Sequence, residues 1–368
     1  MKKRVILTSN SSWYLYNFRK NTITSLLNSS YDVICIAPID KYTKILENMG
    51  VNFYPLKLNR LSRNPLKEIL VIIKLAFYFK KFDPYLIFSF TAKNNIYGSI
   101  ASFITSRRII NNISGLGSAF IEKGLTQKII IYLYRMIRNI PLHTFCQNQI
   151  DQEFLIKNKM LKSERSSVIP GSGVDINFFS RPLDKIKVSD SVRNFVFVGR
   201  LIAEKGIREI LVVFSDLIKL FPEMRLNIIG IIDPQNPSSL SRQELESIRE
   251  LPYINLIEGV DDVRKHLLES DCFILPSYRE GLSRATLEAM SMEIPIICSD
   301  VPGLNELIDD GVNGYLCKPF SCNSLKDAVL RMINTDARNR YDFGKISRKK
   351  VMQNYDEKIV INSLFKFL

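Results

Sequence analysis

Residues Asp271 to Pro302 read DCFILPSYREGLSRATLEAMSMEIPIICSDVP. The apolar run Cys272-Phe273-Ile274-Leu275 stops at Pro276 and is too short for a helix, which predicts a buried parallel strand. Ser277 to Gly281 then forms a loop where strand hands over to helix, the edge at which open α/β sheets bind ligands. A helix is expected over about Ser283 to Ser291 with Ser283 as its N-cap. Its first amides have no partner inside the helix and suit a phosphate. Two carboxylates frame the segment, Glu280 in the loop and Glu288 two turns into the helix. A diphosphate on the helix N-terminus, beside Gly281, Leu282 and Ser283, would lie between them.

The same alternation runs outward in both directions. Residues 4–8 read as a strand, followed by a loop through Tyr16 and a helix capped by Asn17. Strand and helix pairs are expected over Asp32 to Met49, Asn52 to Phe82 and Tyr85 to Thr105, then Arg108 to Ile113, a helix from Thr126 to Arg138, and His143 to Gln147. Polar, aperiodic Ser180 to Arg193 reads as a linker. A second series starts at Phe195 to Val198, with strands at Leu226 to Ile229, Asn255 to Ile257, Cys272 to Leu275, Ile296 to Ser299 and Gly314 to Cys317. Such alternation calls for α/β domains with doubly wound, mostly parallel sheets. The first spans 1–178, the second 194–354, and a closing helix occupies 355–368.

The composition, 46% hydrophobic and 24% charged, is that of globular domains and excludes a disordered chain. Six cysteines form no CxxC pair, which fits reduced core thiols and argues against a zinc site. Val5-Ile6-Leu7 is too short for a secretory signal, and Ile69 to Phe79, interrupted by Lys74, is too short for a membrane span. A cytoplasmic protein is expected.

The net charge of +14 is one-sided: the first 180 residues carry 25 Lys+Arg against 10 Asp+Glu. In that half, helix Pro65 to Phe82 lines up Leu66, Ile69, Leu70, Ile73, Phe77 and Tyr78 beside Lys67, Lys74, Lys80 and Lys81. Helix Thr126 to Arg138 sets Ile130, Leu133, Tyr134 and Ile137 against Lys128, Arg135 and Arg138. Basic amphipathic helices of this kind predict docking on an anionic membrane surface; the plainer alternative is that each packs on its own sheet. No RNA or DNA module accompanies the charge, so no nucleic acid partner is expected.

After the first strand of the second series come Val198-Gly199-Arg200-Leu201 and Glu204-Lys205-Gly206. Gly199 permits a close backbone turn, and Arg200 and Lys205 can supply positive charge where a diphosphate leaving group gains negative charge. Gly115-Leu116-Gly117 does not complete a dinucleotide fingerprint: the third glycine would fall at Phe120, and no ribose-binding acid follows. A nicotinamide oxidoreductase is therefore not expected.

The string EGLSRATLEAM followed by PIICSDVPG, with VGRL and EKG before it and the turn Ile169-Pro170-Gly171-Ser172-Gly173-Val174-Asp175, resembles the retaining nucleotide-sugar glycosyltransferases of the E-x7-E type, glycosyltransferase family 4. Ser9 to Tyr14 with Tyr16-Asn17-Phe18-Arg19, and Ser114 to Phe120, are similar to loops of bacterial enzymes that build undecaprenyl-diphosphate-linked sugars. The resemblance implies a GT-B architecture of two Rossmann-like domains around a cleft, with the closing helix crossing back to the first. It implies a UDP-sugar held by the second domain, Arg200 and Lys205 on the diphosphate, Glu280 facing the sugar and Glu288 on the ribose. Ser114, Gly115, Gly117, Asn17 and Arg19 would lie in acceptor or cleft loops. Without an Asp-x-Asp motif, neither metal nor cofactor is expected.

The implied reaction moves a sugar, with an N-acetylhexosamine among the candidates, to an undecaprenyl-diphosphate-linked saccharide at the inner membrane face, in O-antigen or capsule assembly. The chain departs from the family where many members place a histidine in the first domain: the loop here reads Asn111-Asn112-Ile113-Ser114. His143 and His266 read as scaffold residues. The rival readings are a UDP-sugar epimerase or phosphorylase on the same architecture, and a non-catalytic protein that binds membrane surfaces.

Overall fold

A computed structural model describes residues 2–59, 64–117, 120, 124–182, 191–233, 236 and 238–368. Most of the expected linker, 183–190, and the loop residues Ser118 and Ala119 lie outside them. The chain divides into two compact units, residues 1–172 with 358–368, and residues 173–357.

Unit 1 runs β1 (Arg4–Thr8), α1 (Ser12–Asn28), β2 (Asp32–Ala37), α2 (Thr43–Asn48), β3 (Asn52–Pro55), α3 (Pro65–Phe82), β4 (Leu86–Phe90), α4 (Ala92–Thr105), β5 (Ile109–Ile113), α5 (Leu125–Ile137), β6 (His143–Cys146), α6 (Gln149–Lys157) and β7 (Ser166–Val168). Its seven strands are parallel in the order β3-β2-β1-β4-β5-β6-β7, so the winding reverses between β1 and β4. Side chains alternate across the sheet. Ile6, Ile34, Ile87 and Ile109 pack with Leu75 and Phe79 of α3. Val5, Leu7, Val33, Phe88 and Phe90 pack on the other face with Leu15 and Ile23 of α1 and with Val360 and Leu364 near the C-terminus. With helices on both faces, β1 and β4 need near-continuous apolar runs, which made them legible.

Three local expectations are corrected. Helix α1 begins at Ser12, capped by Ser11, whose Oγ accepts from the Tyr14 amide at 3.1 Å. Asn17 lies inside the helix and caps nothing; the aromatic stretch that read as a loop buries Tyr14 and Leu15. Strand β7, three half-exposed edge residues, carries no apolar pattern and was not foreseen.

The third correction concerns the amphipathic helices. Helix α3 buries Val71, Leu75, Tyr78, Phe79 and Phe82. Leu66, Ile69, Leu70, Ile73 and Phe77 stay exposed, so the expected face is solvent-facing except for Tyr78. In α5 the expected face does pack, with Tyr134 and Ile137 buried, and a different stripe is exposed: Leu125, Ile129, Tyr132 and Met136. Helix α4 packs against both and exposes Phe103 and Ile104.

Unit 2 runs β8 (Asn194–Arg200), α7 (Ile207–Leu217), β9 (Arg225–Ile231), α8 (Arg242–Arg249), β10 (Ile254–Glu258), α9 (Arg264–Leu268), β11 (Cys272–Leu275), α10 (Arg284–Ser291), β12 (Ile296–Ser299), β13 (Gly314–Cys317), α11 (Cys322–Asn334) and α12 (Ala337–Asn354); α13 (Glu357–Phe365) carries the chain into unit 1. The six parallel strands lie in the order β10-β9-β8-β11-β12-β13, with the reversal between β8 and β11. Phe195, Phe197 and Phe273 are fully buried in its core. At the start of the unit, Asp175 Oδ1 accepts from the Asn177 and Phe178 amides at 3.0 and 2.9 Å and holds the turn. All six cysteines are unpaired, five of them buried.

Candidate active site

In open α/β sheets the crevice at the reversal of strand order is where ligands bind. In unit 2 the motif residues collect there, at the C-terminal ends of β8 and β11. β8 is longer than its apolar run suggests and carries Gly199 and Arg200 within the strand. Gly199 is therefore not the turn residue expected of it; it pairs in register with Gly230 of β9. The turn comes later, as a single 3-10 turn at Ala203–Lys205 ending on Gly206.

Gly206 has φ +70°, and a Cβ there would lie 2.1 Å from the Pro276 carbonyl oxygen. Only glycine tolerates both the left-handed backbone and that approach. The contact joins the turn after β8 to the loop after β11. The Tyr278 amide donates to the Glu204 carbonyl at 2.8 Å, the Ser277 hydroxyl donates to the same oxygen at 2.9 Å, and the Tyr278 hydroxyl donates to Glu209 Oε1 at 2.5 Å. The far side of the loop is held by Gly303, φ +78°, where a Cβ would lie 2.5 Å from the Gly281 carbonyl.

So joined, the two loops bring Lys205 to Glu280, and Lys205 Nζ donates to Glu280 Oε1 in an ion pair between residues 75 apart in sequence. The side chains are 18% and 11% exposed, so the pair is sheltered but reachable. Behind them α10 starts as expected. Ser283 has extended backbone, and its Oγ accepts from the Thr286 amide at 3.3 Å and from the Thr286 hydroxyl at 2.9 Å. Gly281 and Leu282 lead into that N-terminus, where unpaired amides and the helix dipole favour an anion.

Glu288, one turn on, accepts from Arg284 Nε at 2.9 Å. Burial raises the Glu288 pKa above the ordinary glutamate value, an effect opposed by Arg284 and reinforced by Asp262. Arg200 Nη1 lies 3.7 Å from Asp233 Oδ2 and is 41% exposed. The sequence reading missed these acidic and basic partners. Arg284 was readable as the i−4 neighbour of Glu288; the Lys205–Glu280 and Arg200–Asp233 pairs needed the fold.

Chemically, unit 2 offers a helix N-terminus and two cations for an anion, with one carboxylate held beside them and a second further along. Among the described residues no three His, Cys, Asp or Glu side chains converge as metal ligands.

The first-half candidates fall in unit 1. Ser114, Gly115 and Gly117 follow β5, with φ +101° at Gly115 and +72° at Gly117. Asn17 and Arg19 lie on α1, not in a loop: Asn17 Nδ2 donates to the Trp13 carbonyl at 2.9 Å, and Arg19 is 1% exposed. His143 packs between Phe145 and Phe367 with Nε2 2.8 Å from Ser167 Oγ, and burial lowers its pKa. His266 lies on α9.

Residues 183–350 match the family described as "Glycosyl transferases group 1", and residues 4–144 match "Glycosyl transferase 4-like". The chain is 26% identical to the capsular polysaccharide biosynthesis glycosyltransferase CapM of Staphylococcus aureus, over 94% of this chain and 91% of CapM. It is 26% identical to the N,N'-diacetylbacillosaminyl-diphospho-undecaprenol alpha-1,3-N-acetylgalactosaminyltransferase of Campylobacter jejuni, over 99% of this chain and 97% of that one. Among solved structures, HepE of Anabaena in complex with UDP-glucose superimposes with a TM-score of 0.80 at 17% identity, covering 99% of this chain and all of that one, a likeness of fold.

Proposed function

Because this chain belongs to the group 1 glycosyl transferases with a glycosyl transferase 4-like first half, we propose that it moves a sugar from a UDP-sugar to an undecaprenyl-diphosphate-linked saccharide, with retention of configuration, in capsule or O-antigen assembly. The observation that carries the reading is the Lys205–Glu280 pair at the N-terminus of α10. A relative named for capsule synthesis and one named for transfer to a diphospho-undecaprenol-linked sugar support the acceptor class. HepE, solved with UDP-glucose, supports the donor class.

In this reading the donor diphosphate sits on the α10 amides, with Arg200 and Lys205 beside it. Glu288 takes the ribose hydroxyls. Glu280, held by Lys205, accepts hydrogen bonds from the sugar. As the bond from C1 to the diphosphate oxygen breaks, charge grows on that oxygen and the cations stabilise it. The acceptor oxygen bonds C1 on the same face, and its proton passes to the departing phosphate, so no side-chain base, metal or cofactor takes part. The protein contributes charge and positioning.

The proposed place of work is the inner membrane surface. The exposed apolar residues of α3, α4 and α5 lie among Lys67, Lys74, Lys80, Lys81, Lys128 and Arg135. Among the described residues no helix is long and apolar enough to cross a membrane. Apolar side chains at the headgroup boundary with lysines beside them suit an anionic leaflet.

The deciding experiment offers a panel of UDP-sugars with an undecaprenyl-diphosphate-linked saccharide and follows products by NMR. An extended acceptor with the anomeric configuration of the donor is expected. An epimerised free UDP-sugar, or no turnover of any donor, would overturn the reading.

A further inference from the structure

Arg19 is unusually placed for a charged residue. It is 1% exposed, on the α1 face of the unit 1 sheet, with its guanidinium carbon 4.4 Å from the centre of the Phe90 ring. Nη2 reaches the Tyr14 hydroxyl at 3.4 Å, while Nε and Nη1 have no hydrogen-bond partner among the described residues. A guanidinium does not shed its proton, so burial leaves a full charge whose lost hydration an aromatic face only partly offsets.

At the strand ends around Phe90 stand neutral polar groups in the same condition. Asn112 is the register partner of Phe90 and so points from the same face. It is 1% exposed, and neither its Oδ1 nor its Nδ2 has a partner among the described residues. The same holds for the hydroxyls of Ser9, just past β1, and Thr91, just past β4. Thr91 has φ +75°, a region a β-branched residue seldom enters, and strain of that kind collects at ligand sites. It is the N-cap of the 14-residue α4 yet makes no capping bond with its hydroxyl. The surrounding amide donors are committed to the frame, Asn94 Nδ2 to Thr8 Oγ1 at 2.8 Å and Asn95 Nδ2 to the Asn112 carbonyl at 2.9 Å, while the Oδ1 atoms of both have no partner among the described residues.

These groups stand at the C-terminal ends of β1, β4 and β5, where the strand order of unit 1 reverses. Thr91 and, past β5, Ser114 and Gly115 are half-buried, so approach is from the strand ends. One fixed cation, hydroxyl and amide donors, and an uncapped helix N-terminus together select an anion.

The geometry points to a second anion site, in unit 1, built from Arg19, Ser9, Thr91, Asn112 and the first amides of α4, that takes the diphosphate of the acceptor. The assignment to the acceptor rests on the function proposed above; an uncharged saccharide would leave the Arg19 charge unanswered.

The test titrates inorganic diphosphate into the full-length protein saturated with UDP, which fills the donor site, and reads heat and melting temperature. The wild type should bind one further diphosphate and melt higher. Asn112→Asp puts a carboxylate of nearly the same shape beside Arg19: the protein alone should melt above wild type and lose the diphosphate response. Arg19→Met should also lose the response. Should it fail to fold, Asn112→Asp decides, and a wild-type-like diphosphate response in Asn112→Asp overturns the site.

A second arm compares transfer to the diphosphate-linked acceptor with transfer to the same saccharide on an uncharged alkyl chain. Wild type should prefer the former through KM, and Asn112→Asp should cut that preference at least tenfold. A site that binds inorganic diphosphate with no KM preference is a free-phosphate site, and the acceptor assignment falls. If no UDP-sugar is turned over at all, the transferase reading fails while the first arm still reports on the site.

Discussion

In the proposed reaction Lys205 and Glu280 are the residues on which the chemistry turns. Lys205→Ala should cost about 2.7–4 kcal/mol in the barrier, a factor of about 100–1,000 in kcat, by analogy with loss of a single transition-state donor. Activity within threefold of wild type would remove Lys205 from the mechanism. Because Lys205 also holds Glu280, Lys205→Ala and Glu280→Gln should combine sub-additively in a double-mutant cycle. Glu288 makes a pH prediction. Burial raises its pKa, and in the proposed role its carboxylate accepts from the ribose hydroxyls more strongly than the neutral acid would, so UDP affinity should fall with acidification from a higher pH than an ordinary glutamate would set. A fall centred at or below the ordinary value of 4.5 would separate Glu288 from UDP binding. These side chains were legible as an E-x7-E pair and two nearby cations; the pairing of Lys205 with Glu280 was not, because residues 75 apart meet only through the sheet.

At the scale of elements, the candidate active site is a junction of two turns. Gly206→Ala would drive a Cβ into the Pro276 carbonyl from a backbone at φ +70°. A loss of about 1–3 kcal/mol is expected, with weaker UDP binding, and calorimetry with and without UDP measures both. An unchanged melt would mean that the two turns are not coupled.

Helix α3 makes the opposite kind of prediction, since Ile73 and Phe77 are 58% and 55% exposed and hold up no core. Ile73→Glu with Phe77→Glu should leave the melt unmoved and reduce co-flotation with anionic vesicles by tenfold or more, each buried apolar side chain being worth about 1.5–3 kcal/mol. Changing Lys74, Lys80 and Lys81 to Glu should remove the salt-sensitive part, each basic residue contributing about 1 kcal/mol within a Debye length of about 8 Å. Vesicle binding indifferent to both sets of changes would leave these helices without a membrane role. Period alone marked the stripe on α3 but could not say which side faces the sheet, because the helix is apolar on both.

For the whole molecule, the closing residues matter out of proportion to their number. Val360 and Leu364 are 1% and 0% exposed in the unit 1 core, though some 190 residues of chain order separate them from Ile169 beside them. Leu364→Ala should cost about 2–5 kcal/mol of unit 1 stability, read by urea melts, while the part of the melt that UDP stabilises stays in place. A shift of the UDP-responsive part instead would contradict the division into these two units.

What the sequence determined by itself is whatever a short window of chain specifies. Apolar runs ended by proline or glycine, the alternation of strand with helix, Ser283 as a cap, and the acids and bases of EGLSRATLEAM and EKG are local facts, and together they carry the fold class and the E-x7-E motif. Only the tertiary structure decided the meetings: Lys205 with Glu280, Gly206 under Pro276, which stripe of α3 stays in water, and Arg19 buried on Phe90 with Asn112 beside it. The reason is physical. Propensity and period act over a turn or a strand, whereas burial and charge pairing depend on distances that exist only once distant segments have packed.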